Sequence, residues 1–552
     1  MTIPADSKDP GTGTFEAALG EPVEAPSEPP QRAPGRLARS TAFFSFATGL
    51  SRIAGLVREI VAAGYFGVRG PMSAFTIAFQ VPNLVRSLFA DQAIQAALVP
   101  VFTEHLERGE RREAFRLVST LIFAFVVIIG LLTALFILVA PPVMEVLAPG
   151  FEGRLDDLTV GLSRLLFPIL LMLGVSGLVV GVLNSYDRFA VFAIAPFFWN
   201  VAIIAVLVGL APAFPEKDKI YAYAIGVLVG TAVQLALVSF DLRNTPFRLQ
   251  RVLAWTPDVR KVLVLMLPVT ISLGLINFNL VINSFFGTLV SDRAPAAIDK
   301  AFRIYMLPQG MFSVAVATVV FPTLSRFAAR RAYDDLRATM ANGMRQIVLL
   351  LLPAAAAILV LSEPMVRLVY ERGEFGPSQT ELVATALFWF AFSLPFNGVF
   401  LLLTRTFFSL QRPWLPTAIA AGNLAVTALF SLLLYGPFGV GGIVAATAVA
   451  TAASVVAQCV LLRDALDGLE LGRLASSSLR IGVASAGVAL TTYLVWSGLD
   501  DALGRSLGAQ IVEMSVALGA GLAVYVVAIA ALRVPELEQI RRLIRRRSSS
   551  AP

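Results

Sequence analysis

The sequence predicts an all-α polytopic membrane protein: about fourteen transmembrane helices, arranged as two similar six-helix lobes plus two C-terminal helices around a central cationic cavity. Three observations lead there. Of 552 residues, 57% are hydrophobic and only 15% charged, at a mean hydropathy of +0.76, whereas a soluble chain of this length carries more charge and shorter apolar runs. Apolar runs of roughly 20 residues, enough to cross the hydrocarbon core of a bilayer, recur along the chain. Basic residues concentrate in alternate connections between those runs, the pattern expected of loops that stay on the cytoplasmic side.

Residues 1–36 are rich in Pro, Glu, Ser and Ala without an apolar stretch, and read as a disordered cytoplasmic tail, not a signal peptide. The first lobe, residues 37–243, holds runs at Arg39–Phe66, Met72–Phe102, Ala114–Ala140, Leu158–Leu183, Phe189–Leu210 and Ile220–Phe240. The second lobe, residues 244–463, holds Val259–Val290, Ala296–Leu324, Leu336–Leu361, Leu382–Phe408, Trp414–Tyr435 and Gly439–Leu462. Two further runs, Leu479–Gly498 and Ile511–Leu532, occupy residues 464–534. Residues 535–552 form a basic tail whose "RRLIRRR" suits anionic lipid.

One set of connections carries Arg108, Arg111, Arg112 and Arg116, then Arg188, Arg243, Arg248, Arg251, Arg260 and Lys261, Arg326, Arg330, Arg331 and Arg337, Arg412, and Arg463, Arg473 and Arg480. The other set is sparse or acid-balanced: Arg69, then "APGFEGRLDD", "PEKDK", "VSDRAP", "RLVYERGEF", "YGPFGVGG", "SGLDDALGR". The first set and both termini are therefore cytoplasmic, which requires an even helix count. A weak internal repeat supports two lobes. "AALVPVFTEHLERGERREAFR" resembles "VATVVFPTLSRFAARRAYDDLR", with Pro100 matching Pro322, and "LNSYDRFAVFAIAPFFWN" resembles "FFSLQRPWLPTAIAAGN". Repeats of this kind mark transporters, with the substrate site between the halves near the midplane.

Several classes are excluded. The formal charge of +7 lies in short loops between apolar runs, which is no nucleic-acid footprint. One cysteine, Cys459, precludes an internal disulfide, and one histidine, His105, precludes a His/Cys metal cluster. No G-x-x-x-x-G-K-[ST] loop and no Ser/His/Asp set within the membrane are present, so neither ATP use nor catalysis is expected, and no cofactor.

Charges within the apolar runs are informative because each is costly in hydrocarbon, roughly 2.5–3.5 kcal/mol for a central Arg on insertion scales. "GLSRIAGLVREIVAAGYFG", Gly49 to Gly67, carries Arg52, Arg58 and Glu59. Arg52 and Glu59 share a face, whereas Arg52 and Arg58 lie about 120° apart on an ideal helix. "FQVPNLVRSLFADQAIQ" adds Arg86 and Asp91 beside Pro82, and "IDKAFRIYMLPQG" adds Arg303 one turn after Asp299. Two readings compete. Either the arginines are structural partners of Glu59, Asp91 and Asp299, Arg303 above all, or four arginines against three acids leave positive charge facing a cavity. The second reading makes the cavity a route for an anion, since guanidinium binds phosphate bidentately. Asn277, Asn279 and Asn283 either contact a substrate or cation or hydrogen-bond helix to helix. Asn423 and Thr427, at i and i+4, are candidates for a sodium site without a carboxylate.

At these residues the chain resembles the MurJ/MviN family of lipid II flippases, within the multidrug/oligosaccharidyl-lipid/polysaccharide exporter superfamily. The resemblance is carried by "SRIAGLVREIVAAGYFG", "FQVPNLVRSLFADQAIQAALVPVF", "APGF", "FRIYMLPQGMFSVAVATVVFPTLS" and "FFSLQRPWLPT", and spans nearly the whole chain after the N-terminal tail. It implies a cationic central cavity and alternating access that moves the peptidoglycan precursor lipid II, a polyprenyl-diphosphate-linked disaccharide-pentapeptide, to the outer leaflet of a bacterial cytoplasmic membrane. The family's functional arginines fall on Arg52, Arg58, Arg86 and Arg303. The chain departs from the family at Ser73, where members often have an acid, at Gln80, where they have a lysine, and at Phe302, where they have an acid. Sodium and the membrane potential stay open as energy sources. Expected partners are lipid II, membrane lipids and, as further candidates, cell-wall synthesis or division proteins, with no nucleic acid. Flippases for O-antigen or other polysaccharide units, a drug/cation antiporter and a non-transporting scaffold are the alternatives.

The alternating charge yields a topological test. In a Cys459→Ala background, an impermeant thiol reagent outside intact cells should label Gly376→Cys and not Arg108→Cys. The reverse pattern would overturn the orientation.

Overall fold

The computed structural model describes residues 34–534 and Glu536, apart from Ala90, Asp187, Arg251, Leu253, Pro413, Asp467 and Glu470. The tail up to residue 33 and the basic stretch 541–547 lie outside the described residues, as do the side chains of Arg86, Asp91 and Asn277. Among the described residues every regular element is helical. The first half comprises α1 (Pro34–Phe66), α2 (Gly70–Phe89), α3 (Asp91–Glu107), α4 (Arg111–Leu147), α5 (Arg154–Leu166), α6 (Ile169–Ser185), α7 (Ala190–Leu210) and α8 (Ile220–Leu242). The remainder comprises α9 (Pro257–Val290), α10 (Ala294–Pro308), α11 (Val314–Ala329), α12 (Tyr333–Tyr370), α13 (Pro377–Ser409), α14 (Trp414–Ala465), α15 (Leu471–Leu503) and α16 (Leu507–Ala531).

Each expected apolar run falls within helix, but ten stretches among the described residues, not fourteen, are long and apolar enough on their own to cross a membrane. The first, second and seventh runs are not among the ten and the eleventh and twelfth count as one, while other runs are interrupted without being lost. The second run is two helices, α2 and α3. The fourth divides into α5 and α6 at Phe167–Pro168, where proline supplies no N–H to continue the ladder. The eighth is interrupted by a π-helical turn, Gln309–Ser313, directly after Pro308. The eleventh and twelfth form one long α14 that turns at Gly439, whose φ of 54° and ψ of −133° lie outside helical space. α12 bends at Leu361, three residues before Pro364.

Packing sets two different ends. At the arginine-poor end one apolar core runs across both halves. Ala62, Phe66, Val68 and Met72 share it with Ala294, Ala297, Tyr370 and Phe375. Backbone meets backbone there. Gly64 O accepts from Glu374 N at 2.9 Å, Val68 N donates to Gln379 Oε1 at 2.6 Å, and Arg69 pairs with Glu374 at 2.6 Å. Gly373 has φ +61°, and a Cβ on it would lie 2.4 Å from Gly64 O. A Cβ on Gly150, in "APGF", would lie 2.0 Å from Thr288 O, while Gly150 N donates to Thr288 Oγ1 at 3.3 Å. At the arginine-rich end the first half is joined to the second through α9 and its approach. Lys261 pairs with Glu104 at 3.2 Å, His105 lies 3.3 Å from Asp258, and Gln250 N donates to Ser119 Oγ at 2.9 Å. The halves thus meet at both ends, through close backbone packing at the arginine-poor end and through side-chain pairs at the arginine-rich end. α15 and α16 pack on α12, through Ile481, Val488, Tyr525 and Ile529 against Leu349 and Ala357.

Closure through glycine is testable. Gly373→Ala combines a left-handed backbone, disfavoured for an L-residue by roughly 1–2 kcal/mol, with a collision at Gly64. In purified protein carrying Cys459→Ala, Ser73→Cys reports on the region behind the seam, since Ser73 is fully buried. Adding Gly373→Ala should raise its maleimide labelling about 5- to 30-fold, the ratio that 1–2 kcal/mol sets. Unchanged labelling would show that the seam tolerates the methyl group.

Candidate functional site

The halves enclose a cavity of about 970 Å³ whose wall includes Arg58, Glu59, Asp299 and Arg303. These charges come from two helices. In α1, adjacent residues point about 100° apart, yet the long Arg58 side chain folds back so that Nη2 donates to Glu59 Oε1 at 2.5 Å. Its guanidinium also lies over the Trp199 ring of α7, 4.7 Å from the centroid, an arrangement suited to a planar, weakly hydrated cation. In α10, Asp299 and Arg303 stand one turn apart and pair at 2.9 Å.

Between these helices sits the residue that the sequence reading passed over, Lys300. Its side chain is 0% exposed, and Nζ donates to Glu59 Oε2 at 2.6 Å. Arg303 Nη1 approaches the other oxygen, Oε1, at 3.2 Å. Glu59, only 5% exposed, therefore has a cation on every side: Arg58 from its own helix, Lys300 and Arg303 from α10. Three cations against Glu59 and Asp299 leave one positive charge. The structural and cavity readings of these arginines both hold, for different residues. Arg58 and Lys300 are buried partners, whereas Arg303, 37% exposed, is paired and still open to the cavity. A sequence signal for Lys300 existed: it lies between Asp299 and Arg303 in "IDKAFRIYMLPQG", and counting arginines alone missed it.

Arg52 lies about 9 Å along α1 from Arg58 on helix geometry; it is exposed and is not part of the cavity wall. Arg405 of α13 was also passed over. It carries no described acid partner and rests on Thr318 Oγ1 at 3.1 Å and on the Phe321 ring.

The polar residues of α9 and α14 hydrogen-bond helix to helix. Asn279 donates to Asn423 Oδ1 at 3.0 Å and to Thr427 Oγ1 at 3.4 Å. Asn423 donates to Ser454 Oγ at 2.9 Å, and Thr447 to Asn283 Oδ1 at 3.2 Å. Asn279, Asn283 and Asn423 also face the cavity, and among the described residues no cluster of three or more His, Cys, Asp or Glu stands ready for a metal. The positions that depart from the family pattern keep contacts between the halves in neutral form. Ser73 Oγ accepts from Ala296 N at 3.2 Å, and Gln80 donates to Ser284 Oγ at 2.7 Å. Phe302 packs on Tyr305 and Phe390.

The cluster predicts coupled stability. Glu59→Gln leaves Lys300 buried without its counter-charge, a loss of about 3–5 kcal/mol when one partner of a buried pair is removed. Adding Lys300→Met should recover part of that stability in a double-mutant cycle followed by unfolding in detergent. Additive losses would show that the pair is not coupled.

Comparison with known proteins identifies the family. A family model described as "Lipid II flippase MurJ" matches residues 62–503. A probable lipid II flippase MurJ of Rhizobium meliloti (strain 1021) is 32% identical over 517 residues, 91% of this chain and 95% of the relative. The lipid II flippase MurJ of Burkholderia cenocepacia is 30% identical over 407 residues, 72% of this chain and 78% of the relative. Among solved structures, a lipid II flippase MurJ in an inward closed conformation superposes with a TM-score of 0.74 at 21% identity, covering 88% of this chain and 98% of that one. An inward-facing multidrug MATE transporter gives 0.63 at 13% identity, covering 76% and 94%. By the extent of the family match, the shared motifs and the fold, the chain belongs to the MurJ family of lipid II flippases.

Proposed function

We propose that the chain carries lipid II from the inner to the outer leaflet of a bacterial cytoplasmic membrane by alternating access, without catalysis and without ATP. One observation supports this most: a cationic ion cluster in the wall of a cavity enclosed by the two halves. The diphosphate competes with the Glu59 and Asp299 carboxylates for Arg303 and Arg58, and the sugar-peptide head occupies the polar and aromatic remainder of the cavity. Arg52 lies outside the cavity wall, toward the N-terminal end of α1 from Arg58, and the prenyl tail stays in lipid. In this reading both termini are cytoplasmic and the arginine-poor end faces outward. The lobes of residues 37–243 and 244–463 rock about α9, and the two C-terminal helices ride on α12.

A drug/cation antiporter fits poorly, because an organic cation wants a surplus of buried acids and the cluster has a surplus of cations. Energy is available without a nucleotide. A diphosphate diester brings negative charge, and its outward movement from a negative-inside cell runs with the membrane potential, at roughly 2.3 kcal/mol per charge per 100 mV.

Reconstituted vesicles test the assignment. Arg303→Ala and Arg58→Ala should each lower lipid II flipping about ten- to a hundredfold, since a hydrogen bond to a charged group contributes about 1.5–3 kcal/mol. Arg303→Lys should recover little, having lost the bidentate fork. Wild-type flipping in both alanine variants would sink the cavity reading. Flipping of a lipid-linked polysaccharide unit in preference to lipid II would redirect the substrate and leave the site intact.

A further inference from the structure

A second buried charge cluster lies away from the cavity, where α15 and α16 dock on α12. Arg367, near the arginine-poor end of α12, is 6% exposed. Its Nη2 donates to Asp500 Oδ1 of α15 and approaches Glu513 Oε2 of α16 at 3.7 Å. The Trp496 ring of α15 covers the guanidinium at 5.9 Å. Glu513 is 1% exposed, yet neither of its carboxylate oxygens has a hydrogen-bond partner. Arg367 Nε and the indole Nε1 of Trp496 have none either. Of the other charged groups nearby in sequence, Glu363, Asp501 and Arg505 are exposed, while Glu371 and Arg372, just past the end of α12, are partly buried, Glu371 accepting from Thr380 Oγ1 and Arg372 donating to Leu368 O.

Charge accounting singles this cluster out. One guanidinium faces two carboxylates, so with both acids ionised a full negative charge would be buried with no counter-ion. Such a group neutralises itself in place of remaining charged. Arg367 already commits its Nη2 to Asp500, which leaves Glu513 as the acid without a bonded cation. A metal ion is disfavoured, because Arg367 Nη2 already lies within reach of a carboxylate oxygen of each acid.

We propose that Glu513, Asp500 and Arg367 form a proton-binding site in which one proton is shared between the two carboxylates, so that α15 and α16 dock on α12 as a neutral assembly. Asp500, 19% exposed, is the route to the aqueous phase at that end. The site lies three residues before the end of α12, and the connection after α12 carries Gly373 and Glu374 to the seam with α1. The cluster thus lies within a few residues of the seam along the chain. This does not depend on which lipid the cavity carries.

The sign is set by where the proton is held. In the unfolded chain Glu513 is an ordinary glutamate, with a pKa near 4.3, and is ionised at neutral pH. The folded state holds one proton more, so stability falls as pH rises above the ordinary carboxylate range and levels off once the site's own proton leaves. One proton corresponds to about a tenfold change in the unfolding constant per pH unit.

Infrared difference spectroscopy on the full-length protein in vesicles reads the proton directly. The wild-type minus Glu513→Gln spectrum at neutral pH should contain a carboxylic-acid C=O band that shifts in D₂O, and Glu513→Gln should flatten the pH slope of unfolding by one proton. Asp500→Asn gives an independent arm: the remaining Glu513 becomes the sole counter-ion of Arg367, ionises, and the acid band disappears. Absence of an acid band from the wild-type minus Glu513→Gln difference, or its persistence in Asp500→Asn, would overturn the shared proton.

Discussion

A single buried carboxylate holds the two halves together. Glu59 leaves α1 at a depth where hydrocarbon surrounds the protein, and an isolated charge there would be costly enough to neutralise itself. It stays because Arg58, Lys300 and Arg303 converge on its two oxygens. Two of the three come from α10, so satisfying Glu59 requires α1 and α10 to be neighbours. Buried ion pairs seldom add net stability over a well-packed apolar substitute, whereas breaking one is expensive. The cluster is therefore better understood as specifying an arrangement than as strengthening the fold: halves joined elsewhere by small-residue packing are pinned in one register here.

The seam at the arginine-poor end is built differently. Its close backbone approaches at Gly373 and Gly150 are backed by neutral hydrogen bonds at Ser73 and Gln80, each with a net contribution of about 0.5–1.5 kcal/mol. Weak, separable contacts suit a surface that parts and reseals. An acid at 73 and a lysine at 80 would concentrate that energy into few charges and tie it to protonation. This chain distributes it over shape, with one exposed ion pair, Arg69–Glu374, at the rim.

The broad architecture was legible in the sequence because lipid imposes it: backbone groups in hydrocarbon must be satisfied within helices, and spans must reach a minimum length. Every apolar run found its helix. Some interruptions were harder to read: Pro168 and Pro308 each break or distort a run without lowering its hydropathy, whereas the turn at Gly439 fell where "YGPFGVGG" had divided two runs. At the site, buried arginines were legible through their cost, and Arg58 and Arg303 do meet. Lys300 was hidden by its spacing, because its partner Glu59 lies 241 residues away and no local rule joins them. The α9–α14 amides illustrate the same limit. Their types suggested either cation binding or helix contact, and only the partners show that Asn279, Asn423 and Thr427 bond to one another.

The same cluster bears on how a transporter avoids cycling empty. With no substrate, Arg303 is held by Glu59 across the halves and by Asp299 within α10. Any movement that separates α1 from α10 would expose Lys300 and Glu59 to each other's absence at a cost of several kcal/mol. On the binding proposed above, a diphosphate that takes over Arg303 and Arg58 would replace Glu59 as their counter-charge and leave Glu59 to Lys300 alone. Bound substrate then lowers the cost of rearrangement by the amount it contributes at those two guanidiniums, because a ligand can shift an equilibrium only through its differential affinity for the two states. Arg303 is the residue on which that difference turns, since it alone in the cluster is both committed to Glu59 and substantially open to the cavity.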